Sequence, residues 1–287
     1  MRINTNVASL NAQEQATNTN NRLSSSLEKL SSGLRINKAS DDASGLAIAD
    51  KLRTQASSIG QSISNGNSAV SLTQIADKAM AEQSNILDVV KQKLIQASTA
   101  TTSQEGRTAI AKDVNKLLTQ LDNIAEQTNY NGITLLQASA GDKASSAKLT
   151  FQMGEKAANV IDLSSGITAN TSGLQDMSKL LAGTSATAAS AFSADSARAT
   201  MASVDSAINQ LNAWRSDVGS TQNQLESALR NMMTQQTNIK AAESVIRDVD
   251  YAAETANFNK QNIIAQAGTY AQSQANAMQQ NITRLLQ

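Results

Sequence analysis

The side chains that usually carry chemistry are thinly represented here. The 287-residue chain has no histidine and no cysteine. That removes the usual general base, the commonest metal ligand and every thiolate or disulfide option. Serines, lysines and carboxylates remain. Ser–Lys pairs or paired carboxylates can be drawn from them, yet no spacing gathers them into a pocket, and no phosphate-cradling glycine loop is present. The sequence points away from an enzyme and offers no catalytic, metal-ligating or cofactor-binding residue to name. Its 24 basic residues balance 24 acidic ones, with no basic block, which argues against nucleic acid or an anionic membrane as a partner.

The pattern that does recur is apolar spacing suited to joining helices. Leu23, Leu27, Leu30 and Leu34 step by four, three and four residues. Leu52, Ala56, Ile59 and Ile63 repeat that rhythm, and the phase continues through Gly66 to Val70. Further stripes run through Leu87, Val90, Leu94 and Ala97, and through Ile110, Val114, Leu117, Leu121 and Ile124. Leu225, Leu229 and Met232 continue at intervals of seven through Ile239 and Ile246. Alternating steps of three and four place side chains on one narrow seam, as coiled-coil packing requires. Most such stripes simply form core.

These stripes need long elements to carry them. There is no proline anywhere, so no helix is interrupted by a missing donor. Gly33 and the polar run Asn37–Asp42 separate a first helix from a second, which Ser40 or Asp41 is placed to cap. From Ala43 to about Ser98 nothing forces a stop, giving a helix roughly 80 Å long. The polar run Thr99–Arg107 reads as a turn that returns the chain antiparallel. Helical pattern resumes near Ala194 and runs to the end, with an interruption near Asp248–Ala253. Aromatics are only 2% of the chain, which suits thin seams better than a large round core.

The middle differs. Asn131-Gly132 is a turn signal, Ile133–Leu136 is a short apolar run, and Leu149, Phe151 and Met153 alternate with polar residues before Val160–Leu163. These read as hairpins over about 131–165. Gly, Ser, Thr and Ala dominate from about 164 to 194, with a short helix around Leu174–Leu181, and this stretch is expected to be an exposed excursion. The fold class is therefore mainly α: a long antiparallel coiled-coil rod built from both termini, with a small β-hairpin region in mid-chain.

The terminal segments are weakly apolar. Ile3, Val7 and Leu10, and later Phe258, Ile263, Ile264, Tyr270, Met278, Ile282, Leu285 and Leu286, lie on polar backgrounds. Seams this sparse do not repay the entropy of ordering in an isolated chain. Both ends are expected to be mobile in the monomer and to fold when copies surround them, in contacts that repeat without closing a ring. The polymerisation seams would be Leu23, Leu27, Leu30 and Leu34 near one end, and Ile263, Ile264, Met278, Ile282, Leu285 and Leu286 near the other. The opening MRINTNVASLNAQEQ lacks the apolar stretch of a cleaved signal, and no segment is long enough to span a membrane. This fits either a cytoplasmic protein or export by a route without a cleaved signal.

Long runs of the sequence resemble bacterial flagellin. They are MRINTNVASLNAQ, then LSSSLEKLSSGLRINKASDDASGLAIADKLRTQ over residues 23–55, TNYNGITLL over 128–136, IRDVDYAAETANFNKQNIIAQAGTYAQSQAN over 246–276, and the closing NITRLLQ. The resemblance implies a non-enzymatic filament subunit, secreted to the extracellular flagellum by the type III apparatus and needing no cofactor. It implies an inner core domain from 1–43 and 246–287, an outer core domain from 44–245, and no large outer domain. Its partners would be further copies of itself, an export chaperone, the export apparatus, and hook-junction and cap proteins. Phe258, Ile263, Ile264, Leu285 and Leu286 would be the chaperone contacts, and Ser/Thr-linked glycans would fit between Ser139 and Ser196.

One stretch departs from the family pattern. Flagellins that activate the innate Toll-like receptor resemble LQRVRELAVQ where this chain has LDVVKQKLIQ, residues 87–96. The counterparts are Leu87, Val89, Lys91, Gln92, Lys93 and Leu94. Val89 stands at an Arg position, Gln92 at a Glu and Lys93 at a Leu, while Lys91 keeps the second basic position. Losing a bidentate Arg and adding charge at an apolar contact implies weak receptor docking, similar to the Campylobacter and Helicobacter group. Two other readings share the helical architecture: a hook–filament junction protein and a cytoplasmic signalling rod. The latter would dispense with the alternation around Phe151.

Overall fold

The structure, a computed structural model, describes residues 5–137, 149–163, 166–174, 177–185 and 192–285, the side chains of 279 and 281–285 excepted. Helices dominate it: α1 (Val7–Ser32), α2 (Ala43–Ser98), α3 (Gln104–Gln127), α4 (Met177–Gly183), α5 (Ala194–Arg247) and α6 (Tyr251–Leu285). Two antiparallel hairpins interrupt them, β1 (Asn129–Tyr130) with β2 (Ile133–Thr134), and β3 (Thr150–Gln152) with β4 (Val160–Asp162). The uninterrupted α2 and the break before α6 agree with the reading of the sequence.

Helix starts follow from side-chain oxygens that accept otherwise unpaired backbone amides. Asn6 accepts from Ser9 at 3.1 Å, Ser103 from Gly106 at 3.1 Å, and Ser193 from Ser196 at 3.1 Å. Asp250 accepts from Ala252 at 2.9 Å. The residue that serves α2 is Asp42, whose carboxylate takes the Gly45 amide at 2.8 Å, so the expectation of Ser40 or Asp41 is off by one or two residues. Asp41 is engaged elsewhere, accepting the Asn37 and Lys38 amides at 3.1 and 2.9 Å. At the other end of α1, Gly33 adopts φ 74° and donates to the Lys29 carbonyl at 2.9 Å, a left-handed cap that glycine enters without steric cost.

The chain divides into two compact units, a terminal one of residues 1–57 and 236–287 and a middle one of 58–235. The boundaries of these units fall within α2 and α5. In the middle unit, Met80, Leu87, Val90 and Leu94 of α2, Val114, Leu118 and Leu121 of α3, and Val204, Leu211 and Val218 of α5 form one buried core. On α3 the buried positions include Leu118 and Ala125, with Leu117 and Ile124 only partly covered. The core-facing stripe is wider than a strict heptad seam, as on helices packed in a globular domain.

Within the stretch 164–194, expected to be an exposed excursion, the described residues 167–174 and 177–184 are instead largely core. Ile167, Ala169, Leu174, Met177 and Leu180 are buried, and the short helix starts three residues later than expected, at Met177. Small polar residues make this possible by hydrogen bonding inward. The Asp122 carboxylate accepts from the Thr171 amide at 2.7 Å and from its hydroxyl at 2.8 Å. Fully buried Gln83 donates to the Leu121 carbonyl at 3.1 Å and the Ala169 carbonyl at 2.7 Å.

Candidate functional site

The terminal unit is built on α1 and α6. Asn6 donates to the Ala275 carbonyl at 3.1 Å. At the other end of α1, Gly33 and Leu34 meet residues 248–249, so the two helices run antiparallel. The joint there is made from backbone: Arg35 donates to the Arg247 carbonyl at 2.7 Å, and Val249 donates to the Gly33 carbonyl at 3.0 Å. An isolated bridge pairs Leu34 with Asp248, and the Arg35 guanidinium reaches the Ile246 carbonyl at 2.6 Å. Arg247 lies largely covered, with a terminal nitrogen 3.9 Å from both Asp50 and Glu243.

This unit has almost no apolar interior. Among its described residues the buried hydrophobics are Ile36, Ala49 and Ala56, and the buried residues of α1 are Thr19 and Ser26. Thr19 turns its hydroxyl back to the Gln15 carbonyl at 2.8 Å, which lets a small polar side chain occupy a helix contact. Large apolar side chains stay outside: Val245 is 80% exposed, Tyr270 74%, Ile263 67% and Met278 59%. Val7, Leu10, Ile264 and Tyr251 are exposed too.

The seam residues named from sequence are therefore divided. Leu23, Leu30 and Leu34 are partly covered, while Leu27 faces solvent at 49%, because Ser26 rather than Leu27 takes the inward position. Ile263, Ile264 and Met278 are exposed, and Phe258 is partly covered. Ile282, Leu285 and Leu286 lie outside the residues whose side chains are described, as do several of the candidate glycan positions between Ser139 and Ser196.

The strip 87–96 lies on α2 in the middle unit. Leu87 and Leu94 are fully buried, so these two are core residues and not surface contacts; helical periodicity turns them inward with Val90. Val89 and Gln92 face out. Lys91 pairs with Asp205 of α5, and Lys93 approaches Asp113 of α3 at 3.4 Å. Val89, Lys93, Asp113, Lys116 and Leu117 line a shallow cavity of about 330 Å³.

No arrangement of reactive groups emerges among the described residues. A cavity of about 700 Å³ is an open groove lined by Ser71, Gln74, Ile75, Asp77, Lys78 and Gln222, with Arg215 donating to Asp77 at 3.1 Å. Among the described residues no three potential metal ligands cluster, and no helix is long and apolar enough to cross a membrane. Sequence reasoning missed the polar anchors Gln83 and Asp122. Gln83 carries a usable signal, a polar residue on the stripe that joins Met80, Leu87 and Val90. Asp122 carries none, because its partner Thr171 lies 49 residues away.

Comparison with known proteins bears on both units. Residues 3–141 match the family described as bacterial flagellin N-terminal helical region, and residues 201–286 match the bacterial flagellin C-terminal helical region. Flagellin of Bacillus subtilis is 34% identical, with 100% of each chain covered. The flagellar filament 33 kDa core protein of Treponema phagedenis is 32% identical, again with 100% of each covered. Flagellin B of Helicobacter pylori strain J99 is 47% identical over 59% of this chain and 32% of its own length. In fold the chain is similar to a putative flagellar hook-associated protein from Vibrio parahaemolyticus, with a TM-score of 0.58 at 13% identity, covering 72% of this chain and 99% of that one.

Proposed function

The chain belongs to the bacterial flagellin family, structural subunits of the flagellar filament, and we propose that it polymerises through its terminal unit. The observation that carries this is the exposed row Ile263, Ile264, Tyr270 and Met278 on α6, beside an α1–α6 contact whose buried residues, among those described, are Thr19 and Ser26. Burying apolar surface is favourable at about 25 cal/mol per Å², and neighbouring copies are the source of cover that a homopolymer supplies. Contacts of one face with a different face repeat without closing and generate a helical polymer.

Electron microscopy of the purified protein, seeded with filament fragments, beside a chain lacking residues 246–287, tests the proposal. Long helical filaments from the intact chain alone are expected. Filaments from both chains would remove polymerisation from α6. Soluble subunits from both would favour the hook–filament junction reading, in which a few copies suffice.

The same helix serves a second partner at a different time. Phe258, Ile263, Ile264, Leu285 and Leu286 are the proposed anchors for an export chaperone that covers α6 before secretion through the flagellar type III apparatus. The subunit acts by assembly and has no catalytic role. Cap and hook-junction proteins would bound the polymer, and exposed Ser and Thr residues of the middle would accept any glycans.

Docking of the innate receptor on the 87–96 strip is proposed to be weak. Val89 offers no donor where activating flagellins carry Arg, and Lys91 is already engaged by Asp205. A receptor reporter assay is expected to respond feebly. A potent nanomolar response would contradict the assignment.

A further inference from the structure

The dipeptide Asn-Gly occurs twice, at 65–66 and 131–132, in two very different settings. It is the dipeptide most able to cyclise, because glycine has no side chain to obstruct attack by its own amide nitrogen on the preceding side chain. Asn65 lies inside α2, with its amide oxygen accepting from Gln61 at 3.0 Å and its nitrogen at 3.5 Å from the Gln152 carbonyl. Gly66 is sequestered: a Cβ there would lie 2.7 Å from both Leu229 and Met153. Asn131 and Gly132 form the exposed two-residue turn of the β1–β2 hairpin, with φ of 51° and 81°. Among the described residues no hydrogen bond holds the Asn131 side chain or the Gly132 amide, and nothing lies within 4 Å of a Cβ placed on Gly132.

We propose that Asn131 is a site of spontaneous modification, at which the open turn converts asparagine to aspartate and isoaspartate. The Gly132 amide nitrogen attacks Asn131 Cγ. The new N–Cγ bond closes a five-membered succinimide, and the Cγ–Nδ2 bond breaks. The side-chain nitrogen leaves as ammonia, taking up the proton that the Gly132 amide loses. Water then opens the ring at one of its two carbonyls, giving aspartate or, with one extra methylene in the main chain, isoaspartate.

Ring closure requires the Asn131 backbone to rotate out of the turn, and the fold sets what that costs. The hairpin consists of two residue pairs, Asn129 with Thr134 and Tyr130 with Ile133, and so short a ladder opens locally. Asn65 must instead disrupt the interior of a 56-residue helix, beside a glycine packed against Leu229 and Met153. The product matters because a two-residue turn fixes hairpin register. An added methylene there misaligns the strands immediately before Leu135 and Leu136, which are buried. The new carboxylate would also sit at the groove lined by Tyr130, Ile133 and Phe151.

The test is incubation of the full-length protein in heavy-oxygen water at mildly acidic and mildly alkaline pH, followed by peptide mass spectrometry with separation of isoaspartyl forms. Conversion at Asn131 is expected to exceed that at Asn65 by at least about tenfold, to rise with pH, and to carry one heavy oxygen. Asn131→Gly keeps a turn that tolerates positive φ and should abolish conversion there. In denaturant the two sites should converge. No conversion at Asn131, equal rates in the folded protein, or a difference that survives unfolding would overturn the proposal.

Discussion

The middle unit and the terminal unit are made from the same kinds of helix, yet they are stabilised differently. Between α2, α3 and α5 the middle unit buries Met80, Leu87, Leu94, Leu118, Leu121 and Leu211 completely. The terminal unit has Ile36 as its one large buried hydrophobic among the described residues, and leaves Ile263, Tyr270 and Met278 in water. Its order depends on backbone bonds at the 33–35 and 247–249 joint and on capping carboxylates. Hydrophobic burial is the dominant favourable contribution to folding, and net hydrogen-bond contributions are modest. This contrast underlies the proposal that one unit folds alone while the other waits for neighbours.

The largest effect that tests this difference comes from truncating one leucine in each unit. Leu211→Ala removes a fully buried side chain from the middle core and should cost about 2–5 kcal/mol, seen as a lower midpoint in denaturant. Leu27→Ala in the terminal unit removes a side chain already half in solvent and should leave the monomer midpoint unchanged within about 0.5 kcal/mol. Its effect should appear as slower filament growth. Equal destabilisation of the monomer by both variants would erase the distinction.

A smaller effect separates the units within a single sample. Amides of α1 and α6 in dilute monomer should exchange with solvent at least about a hundredfold faster than those of the α2–α3 core, since local opening spans the range from near zero to the global stability. Assembly should close that gap. Protected or protease-resistant terminal helices in the monomer would break the comparison and leave assembly without a folding step.

What is legible in the sequence follows from the same contrast. The length of α2, the break before α6 and the Asn131-Gly132 turn can be read because each is dictated locally, by the absence of proline, by polar runs, and by the positive φ that Asn and Gly tolerate. Inward faces are harder. Leu117 and Leu118 are adjacent, as are Ser26 and Leu27, and in each pair only the one off the heptad stripe is buried. A stripe read as a strict heptad picks the wrong neighbour where the helix turns at its natural period. Segment 167–184 misleads because its composition is that of a loop. Its burial depends on Asp122, Gln83 and Asn115, which lie far away in sequence and satisfy its backbone and hydroxyl groups.

The smallest effect concerns acid at the turn after α1 in the terminal unit. Asp41 is held below its ordinary value of 3.8, chiefly by the Lys38 amide and then by the Asn37 amide that its carboxylate accepts. A carboxyl whose pKa is lowered by folding stabilises the folded form fully above its unfolded value, and this contribution fades as pH falls through the lower folded value. Lys38 has the opposite sign: its hydrogen bond to Glu28 raises it above 10.5, so its contribution is complete below that pH and is lost on moving above it. Both groups are exposed, and exposed charges contribute little. Acidification below the ordinary carboxylate range should therefore release the Asn37 and Lys38 amides first, seen as a change in their chemical shifts and exchange, while the middle core stays protected. Asp41→Asn keeps an acceptor oxygen but cannot titrate, so it should remove the acid dependence of these two amides. If the amides of the core respond at the same pH, the terminal turn does not open as an independent element.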